Sequence, residues 1–322
     1  MTQQVASTRT DPREPLDPQV KALFDALQAL RPAERVLDAQ AIRAGSAAFI
    51  PYLTEGAPPV ADEKEIRIPG PAGVIRALVF TPRKTTEALP LLVYLHGGGF
   101  VQLSPESHAK LTKQLAVGGD ATVVSIDYRL APESPYPAGL DDCVAAVRWV
   151  RENAASLGGD PSRIAIGGDS AGGNLSAATT LRLLAEGDAP PSAALMICAW
   201  FDLAMDTGSF RALGPDDLII DDPIMEFYRG CYASEPKLWA DPFLSPLRGD
   251  LSQFPPSCVV VGTIDPLCDD GLGFAAKLRR AGRDVTLQRH EGMPHDFMLF
   301  PGIDEGQRSI EAMCAFLKRA LT

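Results

Sequence analysis

Ser170 has the sequence surroundings of a reactive nucleophile. Residues 168–172 read Gly-Asp-Ser-Ala-Gly, a G-x-S-x-G pentapeptide. An apolar run at 164–166 precedes it, and a stretch of helical character at 174–186 follows it. A serine on a tight strand-to-helix turn exposes its hydroxyl at the tip of a sheet, and small residues let the backbone make that turn. The sequence therefore predicts Ser170 as a nucleophile.

A serine hydroxyl reacts only when a base takes its proton and an acid orients that base. The chain has four histidines. We expect His295 to be the base, because it lies in a loop after the last predicted strand. Asp265 directly follows the strand predicted at 258–261 and lies between Ser170 and His295. Where the nucleophilic serine lies on a strand-to-helix turn, the acid comes between the serine and the histidine in chain order.

The remaining histidines and neighbouring acids have simpler interpretations. His108 is expected on the surface of a helix, and His290 is expected to be structural. Asp269 and Asp270 are expected to cap the helix that follows them. Asp296 adjoins His295 in sequence, which makes it badly placed to orient the imidazole.

A glycine-rich segment could stabilise the negative charge that develops during acyl transfer. His96 and Phe100 flank the glycines at 97–99, directly after the strand predicted at 91–95. Glycines let the backbone pass close to a substrate and aim its amides at one point. The amide of Ala171 would complete the set. A phosphate-binding loop is the alternative, but neither G-x-x-x-x-G-K-[ST] nor G-x-G-x-x-G context is present.

The elements that would position these residues alternate along the chain. Apolar strands that alternate with helices predict a mostly parallel sheet covered on both faces. Residues 1–15 are predicted to be disordered, and the irregular stretch at 201–239 is predicted to form a lid or binding loop. Strands are predicted at 66–68 and 75–80 (an antiparallel hairpin), 91–95, 122–126, 164–166, 194–198, 258–261 and 285–288, and helices at 16–30, 33–44, 107–117, 140–157, 174–186, 271–281 and 309–321.

Composition limits the partners. The net charge of −11 argues against nucleic acid or an anionic membrane surface as a partner. No apolar run approaches the length needed to cross a bilayer, and the polar N-terminus lacks a signal core, so we expect a cytoplasmic protein. A homodimer is one expectation for its assembly. The six cysteines lack metal-site spacing and are expected to be free thiols; they are Cys143, Cys198, Cys231, Cys258, Cys268 and Cys314.

The chain resembles the hormone-sensitive-lipase-like α/β-hydrolases, the bacterial family IV carboxylesterases, in the branch whose elbow reads GDSAGGN. That sequence occupies 168–174. Matching motifs follow the family's order over roughly residues 60–322. They are His96 to Phe100, Asp127 to Glu133, Tyr136 to Ala138, Ser245 to Leu247, Asp265 to Leu267 and Gly292 to His295.

The resemblance implies an α/β-hydrolase fold with a mostly parallel sheet and a helical cap. Cap helices before residue 50 and an insertion at about 201–240 would cover a catalytic domain at 51–322. Asp296 stands where the family often has Gly, and an acid there would either tune the base or bind solvent. The implied triad is Ser170, Asp265 and His295; the implied oxyanion donors are the amides of Gly98, Gly99 and Ala171; His96 and Gly97 shape the loop; Phe100, Trp200, Phe201, Phe227 and Tyr228 are expected to line the acyl site.

We therefore expect a serine carboxylesterase that acts on small to medium acyl esters without a metal or an organic cofactor. An amidase, a carbamate hydrolase or a lactonase could use the same residues, since the tetrahedral intermediates are alike. A receptor that binds a small molecule without catalysis is the other alternative. Plant gibberellin receptors resemble this family but have lost the catalytic histidine, whereas His295 is present here.

Overall fold

An eight-stranded sheet forms the centre of the protein. A computed structural model describes residues 16–30 and 36–322. The predictions for residues 1–15 and 33–35 lie outside the described residues. The strands are β1 (Asp62–Gly70), β2 (Gly73–Thr81), β3 (Leu89–Leu95), β4 (Thr122–Asp127), β5 (Gly159–Asp169), β6 (Ala193–Ile197), β7 (Ser257–Gly262) and β8 (Val285–His290).

The strands follow the order β1-β2-β4-β3-β5-β6-β7-β8 across the sheet. β1 and β2 form the predicted antiparallel hairpin, and β2 also pairs antiparallel with β4. Every pair from β4 to β8 is parallel. The mostly parallel sheet predicted from the apolar runs is therefore confirmed. Because all parallel strands end at one edge, the loops that follow β3, β5, β7 and β8 meet there.

Nine α-helices lie among the described residues. Short 3-10 turns at 154–157, 214–216, 236–240, 246–248 and 297–299 lie between them. No helix of 16–30 or 36–322 is long and apolar enough to cross a bilayer. The helices are α1 (Pro18–Leu30), α2 (Ala39–Thr54), α3 (Ala109–Gly119), α4 (Ala138–Glu152), α5 (Ser170–Ala185), α6 (Gly208–Leu213), α7 (Asp222–Tyr232), α8 (Cys268–Arg280) and α9 (Asp304–Ala320).

The second helix differs from its prediction at 33–44. Asp38 is the N-cap of α2, and its carboxylate accepts a hydrogen bond from the amide of Ala41 at 2.9 Å. A side chain that satisfies a free amide of the first turn fixes the start of a helix there. The helix then continues to Thr54, past Pro51. α2 therefore crosses residue 50, where the cap helices were expected to end.

Apolar layers cover both faces of the sheet. Side chains alternate between the faces of a strand, so Leu91, Val93 and Leu95 of β3 join one layer, and Leu92 and Tyr94 join the other. The first layer contains side chains of α4, α5 and α8, and the second contains side chains of α1, α3 and α9. This two-sided burial holds the loops at the carboxyl edge of the sheet on a rigid base.

The insertion at 201–240 is tied to α8 by two aspartates. The carboxyl group of Asp270 is buried, and its Oδ2 accepts hydrogen bonds from the amides of Phe201 and Asp202 at 2.8 and 2.9 Å. Asp269 accepts one from the amide of Ser209 at 2.8 Å. The prediction that both residues cap α8 is wrong, because their side chains accept hydrogen bonds from backbone amides of the insertion instead of from the first turn of α8.

Replacing Asp270 with Ala should lower the free energy of unfolding by about 2 kcal/mol, since a buried amide without an acceptor costs about 1–3 kcal/mol. Asp270→Asn is the matched control. Burial raises the pKa of Asp270 to about 8 against the opposing amide hydrogen bonds, so the carboxyl group is mostly neutral at pH 7 and an amide oxygen can replace it. Denaturant titration compares the variants. Equal stability of the Ala and Asn variants would contradict this role of Asp270.

Candidate active site

Three loops at the carboxyl edge of the sheet bring Ser170, Asp265 and His295 together. Ser170 starts α5, Asp265 follows β7, and His295 follows β8. Nε2 of His295 lies 2.9 Å from Oγ of Ser170, and Nδ1 lies 2.9 Å from Oδ2 of Asp265. All three side chains are buried. An imidazole that donates from Nδ1 to a carboxylate presents Nε2 as an acceptor, so this arrangement can take a proton from the serine.

The turn that carries Ser170 is tight. β5 ends at Asp169 and α5 begins at Ser170 without an intervening loop. Ser170 has a φ of 51°, in the left-handed region that non-glycine residues seldom occupy. Gly172 allows the close approach of β3, since a Cβ there would lie 2.0 Å from the carbonyl oxygen of Leu95. The predicted strand–turn–helix setting of the pentapeptide is confirmed.

The glycine loop passes beside the serine. Gly98 and Gly99 line the same cavity as Ser170 and His295. Gly99 has a φ of 61°, and a Cβ there would lie 2.1 Å from the ring of Tyr228. The amides of Gly98 and Gly99 have no hydrogen-bond acceptor among residues 16–30 and 36–322. Buried amides normally find a partner, so both are available to a ligand.

Tyr94 and His108 contact Asp169, the residue before Ser170, and His96 lies beside His108. Asp169 accepts hydrogen bonds from the hydroxyl of Tyr94 at 2.6 Å and from Nε2 of His108 at 3.0 Å. The prediction of His108 as a surface residue is wrong, because it is buried with Asp169 as its partner. His96 stacks on Tyr128, with ring centroids 4.3 Å apart. Burial, followed by the charge of His108, lowers the pKa of His96 to about 4.

Asp169 and His108 form an ion pair. Burial raises the pKa of Asp169, but His108 and Tyr94 more than offset this and lower it below its ordinary value. Burial likewise lowers the pKa of His108, whereas the charge and hydrogen bond of Asp169 raise it above its ordinary value. The pair lies directly behind the serine turn.

A cavity of about 140 Å³ opens in front of the serine. Most of its lining is apolar. Four of the five aromatic residues predicted to line it lie elsewhere, and Tyr228 alone of the five is on its wall. The lining residues are Leu53, Gly98, Gly99, Gln102, Leu103, Ser170, Ile219, Ile220, Met225, Tyr228, His295, Asp296, Leu299 and Phe300.

The other four aromatic side chains pack against the core. Phe100 stacks on Tyr232 with ring centroids 3.8 Å apart. Phe201 stacks on Phe274 at 4.0 Å. Trp200 is fully buried beside Phe100, and Phe227 is half-buried against the same apolar layer. Their prediction as lining residues is corrected: each has a partner in the core that sequence alone does not reveal.

Sequence reasoning missed most of the apolar wall. Leu53 reaches the cavity because α2 extends ten residues beyond its predicted end. Ile219 and Ile220 are an apolar pair within a polar insertion, which was an available signal. Leu299 and Phe300 lie in the short turn after His295. Segments far apart in sequence therefore build the wall.

Asp296 contacts the imidazole from the cavity side. Its Oδ2 lies 3.1 Å from Nε2 of His295. Its φ of 48° turns the side chain back toward its neighbour in sequence. Burial lowers the pKa of His295, but the charges of Asp265 and Asp296 raise it well above its ordinary value. Adjacency in sequence therefore does not keep Asp296 from acting on the imidazole.

One group of the described residues has donor atoms close enough to hold a metal. The donor atoms of Cys198, Asp265 and His295 lie within 4.8 Å of one another. Asp265 and His295 already share a hydrogen bond. Burial, together with Asp265 and Asp296, raises the pKa of the Cys198 thiol well above its ordinary value, and a protonated thiol is a poor ligand. The donor set therefore fits an acid–base pair better than a metal site.

Comparison with known proteins agrees with this geometry. A family model described as the alpha/beta hydrolase fold matches residues 92–299. The chain is 40% identical over 251 residues to carboxylesterase NlhH of Mycobacterium tuberculosis, covering 76% of this chain and 77% of that protein. It is 33% identical over 302 residues to an ethyl acetate hydrolase of Pseudomonas putida, covering 90% and 94%.

Solved structures give the same result. A hyperthermophilic esterase from the archaeon Pyrobaculum calidifontis has a TM-score of 0.89 at 34% identity, covering 95% of this chain and 98% of that one. The thermophilic carboxylesterase EstE1, cloned from a metagenomic library, has a TM-score of 0.86 at 34% identity, covering 88% and 98%.

The fold and the buried serine–histidine–aspartate arrangement define a serine carboxylic ester hydrolase. The chain belongs to the α/β-hydrolase family, in its hormone-sensitive-lipase-like branch of family IV esterases. The resemblance found in the motifs is thus confirmed.

His108→Gln should destabilise the protein most between pH 4 and 6. The pKa of His108 is raised in the folded protein, so its protonation contributes fully to the free energy of unfolding below the unfolded-state pKa of about 6.5. This contribution is lost as the pH rises through the folded-state pKa. The pKa of Asp169 is lowered in the folded protein, so its charged form contributes fully to the free energy of unfolding above pH 3.8. This contribution is lost as the pH falls through the folded-state pKa. The difference in unfolding free energy from the wild type should therefore shrink above neutrality.

Denaturant titrations of wild type and variant at pH 5, 7 and 9 measure this difference. His290→Gln is the control, since its partner Glu305 lies near the surface, away from the serine turn. A difference for His108→Gln that stays constant from pH 5 to 9 would show that the ion pair does not contribute.

Proposed function

We propose that this ester hydrolase acts on small to medium acyl esters through an acyl-enzyme formed on Ser170. The observation that supports the assignment is the chain of two 2.9 Å hydrogen bonds, from Ser170 to His295 and from His295 to Asp265. Ser170 is the nucleophile, His295 the general base, and Asp265 the acid that fixes the tautomer.

The reaction takes two acyl transfers. His295 takes the proton of Ser170 at Nε2 while Oγ attacks the ester carbonyl. The amides of Gly98, Gly99 and Ala171 stabilise the oxyanion, and His295 then gives its proton to the leaving alcohol. Water attacks the acyl-enzyme by the same route. Residues of the chain handle every proton and charge, so we propose no metal or organic cofactor.

The second oxygen of Asp265 supports this role. Its Oδ1 accepts a hydrogen bond from the amide of Leu267 at 2.8 Å, and its Oδ2 accepts from His295. A carboxylate fixed at both oxygens holds the imidazole in one orientation, which is the task of the acid in such a triad. His96 and Gly97 shape the glycine loop and take no part in the chemistry.

We propose that the N-terminal helices and the insertion at 201–240 form a cap over the catalytic domain. Leu53 at the end of α2 supports this, as do Ile219, Met225 and Tyr228 of the insertion, because all four line the cavity. The cap would set the substrate range. At about 140 Å³, the cavity is smaller than the roughly 300–1,000 Å³ of pockets that hold drug-sized ligands, which favours short acyl groups.

Assembly and location are further parts of the proposal. We propose a homodimer, because β8 lies at the edge of the sheet and pairs with β7 alone among the described strands. An open strand edge is a ready surface for a second copy. We propose a cytoplasmic location on the ground that all six cysteines are free thiols, which is typical of a reducing compartment.

Ser170→Ala should reduce ester turnover by at least about 10³-fold, since only the oxyanion donors and substrate binding remain. Rates with p-nitrophenyl acetate and labelling by a fluorophosphonate probe measure the loss. Ser176→Ala is the matched control: Ser176 lies on the same helix, and its hydroxyl donates to the carbonyl of Gly172. Labelling of the Ser170→Ala protein, with most of its turnover intact, would refute the nucleophile.

The cavity predicts the acyl preference. Rates with p-nitrophenyl esters should be highest for short acyl groups and fall toward C12. Leu53→Ala should shift the preference toward longer chains, because it removes side-chain volume from the wall. Leu30→Ala, at an exposed site on α1, is the control. An anilide and a lactone in the same panel test the amidase and lactonase alternatives. An unchanged chain-length profile in Leu53→Ala would contradict the proposed wall.

A further inference from the structure

We propose that Asp296 is a positioning residue whose carboxylate binds Nε2 of protonated His295, so that the base becomes available only at higher pH. The inference rests on the proposed role of His295 as general base. It assigns to Asp296 a task separate from that of Asp265: Asp265 orients the imidazole, whereas Asp296 competes with Ser170 for the nitrogen that must take the proton.

The geometry places two carboxylates on one imidazole. Asp265 lies 2.9 Å from Nδ1, and Asp296 lies 3.1 Å from Nε2. Both ring nitrogens can donate only when the imidazole is cationic. Ser170 also lies 2.9 Å from Nε2. The nitrogen thus has two neighbours, a carboxylate that favours the protonated ring and a hydroxyl that needs the neutral one.

The burial of Asp296 makes its carboxylate depend on the imidazole for charge compensation. The side chain is 9% exposed, and Oδ1 has no hydrogen-bond partner among residues 16–30 and 36–322. A buried carboxylate with one free oxygen is costly unless a cation compensates it. When protonated, His295 is the cation in contact with it. The carbonyl of Asp296 accepts a hydrogen bond from the amide of Leu299 at 2.9 Å, which helps to hold the residue in its left-handed conformation.

Titratable groups on every neighbouring element act on this pair. Asp169 and Asp265 disfavour the charge on Asp296, while His295 favours it. Burial is the largest influence and raises the pKa of Asp296 to about 6. The remaining groups that face the pair are Tyr94 of β3, His108 before α3, Cys198 after β6 and Asp217 of the insertion.

The balance of these groups yields a defined resting state. Above about pH 6 the carboxylate of Asp296 is charged, and the imidazole between it and Asp265 keeps its proton beyond its ordinary pKa. The same carboxylate also stabilises the imidazolium that forms when Ser170 attacks. Asp296 should therefore make His295 less available at low pH and more effective once it is deprotonated.

The test compares the pH dependence of kcat/KM from pH 5 to 10 in wild type, Asp296→Asn and Asp296→Gly. An opposite charge within about 4–6 Å shifts a pKa by about 1–3 units, so the acidic midpoint should fall by about one unit in both variants. Their rate at high pH should be several-fold below that of the wild type, giving profiles that cross. Glu305→Gln is the charge-matched control, since Glu305 contacts His290 instead of His295.

A readout independent of turnover separates this inference from the proposed function. NMR titration of the His295 imidazole in Ser170→Ala, with and without Asp296→Asn, should show the same fall of about one unit. An unchanged midpoint in these spectra would overturn the role of Asp296 whatever the activity. A lowered midpoint together with an active Ser170→Ala protein would instead refute the nucleophile. Asp296→Gly replaces Asp296→Asn if the latter does not fold.

Discussion

The buried hydrogen bond between His295 and Asp265 is the interaction on which the rest of the site depends, and the sheet places the two loops that carry these residues side by side. β7 and β8 are parallel neighbours in which Gly262 pairs with His290. Beyond the strands, the amide of Ile264 donates to the carbonyl of Met293 at 3.1 Å. The two loops are therefore joined to each other just beyond the sheet, which places the Asp265 carboxylate beside the His295 imidazole.

The serine is held by a second polar cluster on the neighbouring strands. Tyr94 of β3 and His108 both bind Asp169 at the end of β5. Removing any member would leave a buried charge or donor unpaired, which is costly in an apolar interior. Because Asp169 precedes Ser170, this cluster also restrains the strained turn at Ser170. Sheet register positions Asp265 and His295, and the ion pair of Asp169 with His108 positions Ser170.

Sequence reasoning succeeded where the chemistry is local and failed where partners are distant. The meeting of Ser170, Asp265 and His295 at one edge of the sheet could be predicted, because each lies in a short motif at the end of an apolar strand. The surface assignment of His108 failed because its partner, Asp169, is 61 residues away. The prediction of Phe201 as a lining residue fails because aromatic size alone does not distinguish a cavity wall from a stack on Phe274.

The backbone conformation of Asp296 decides whether its side chain can contact the neighbouring His295. In an extended segment, adjacent side chains point in opposite directions, and an acid beside the base would be irrelevant to it. The left-handed conformation of Asp296 turns its carboxylate onto Nε2. A second anion beside the imidazole makes His295 a stronger base and raises the pH at which it loses its proton. These two effects cannot be separated, because both arise from the same charge. A glycine at this position would remove both the added basicity and the shift to higher pH. The choice of residue at 296 therefore selects the pH range in which the serine can react.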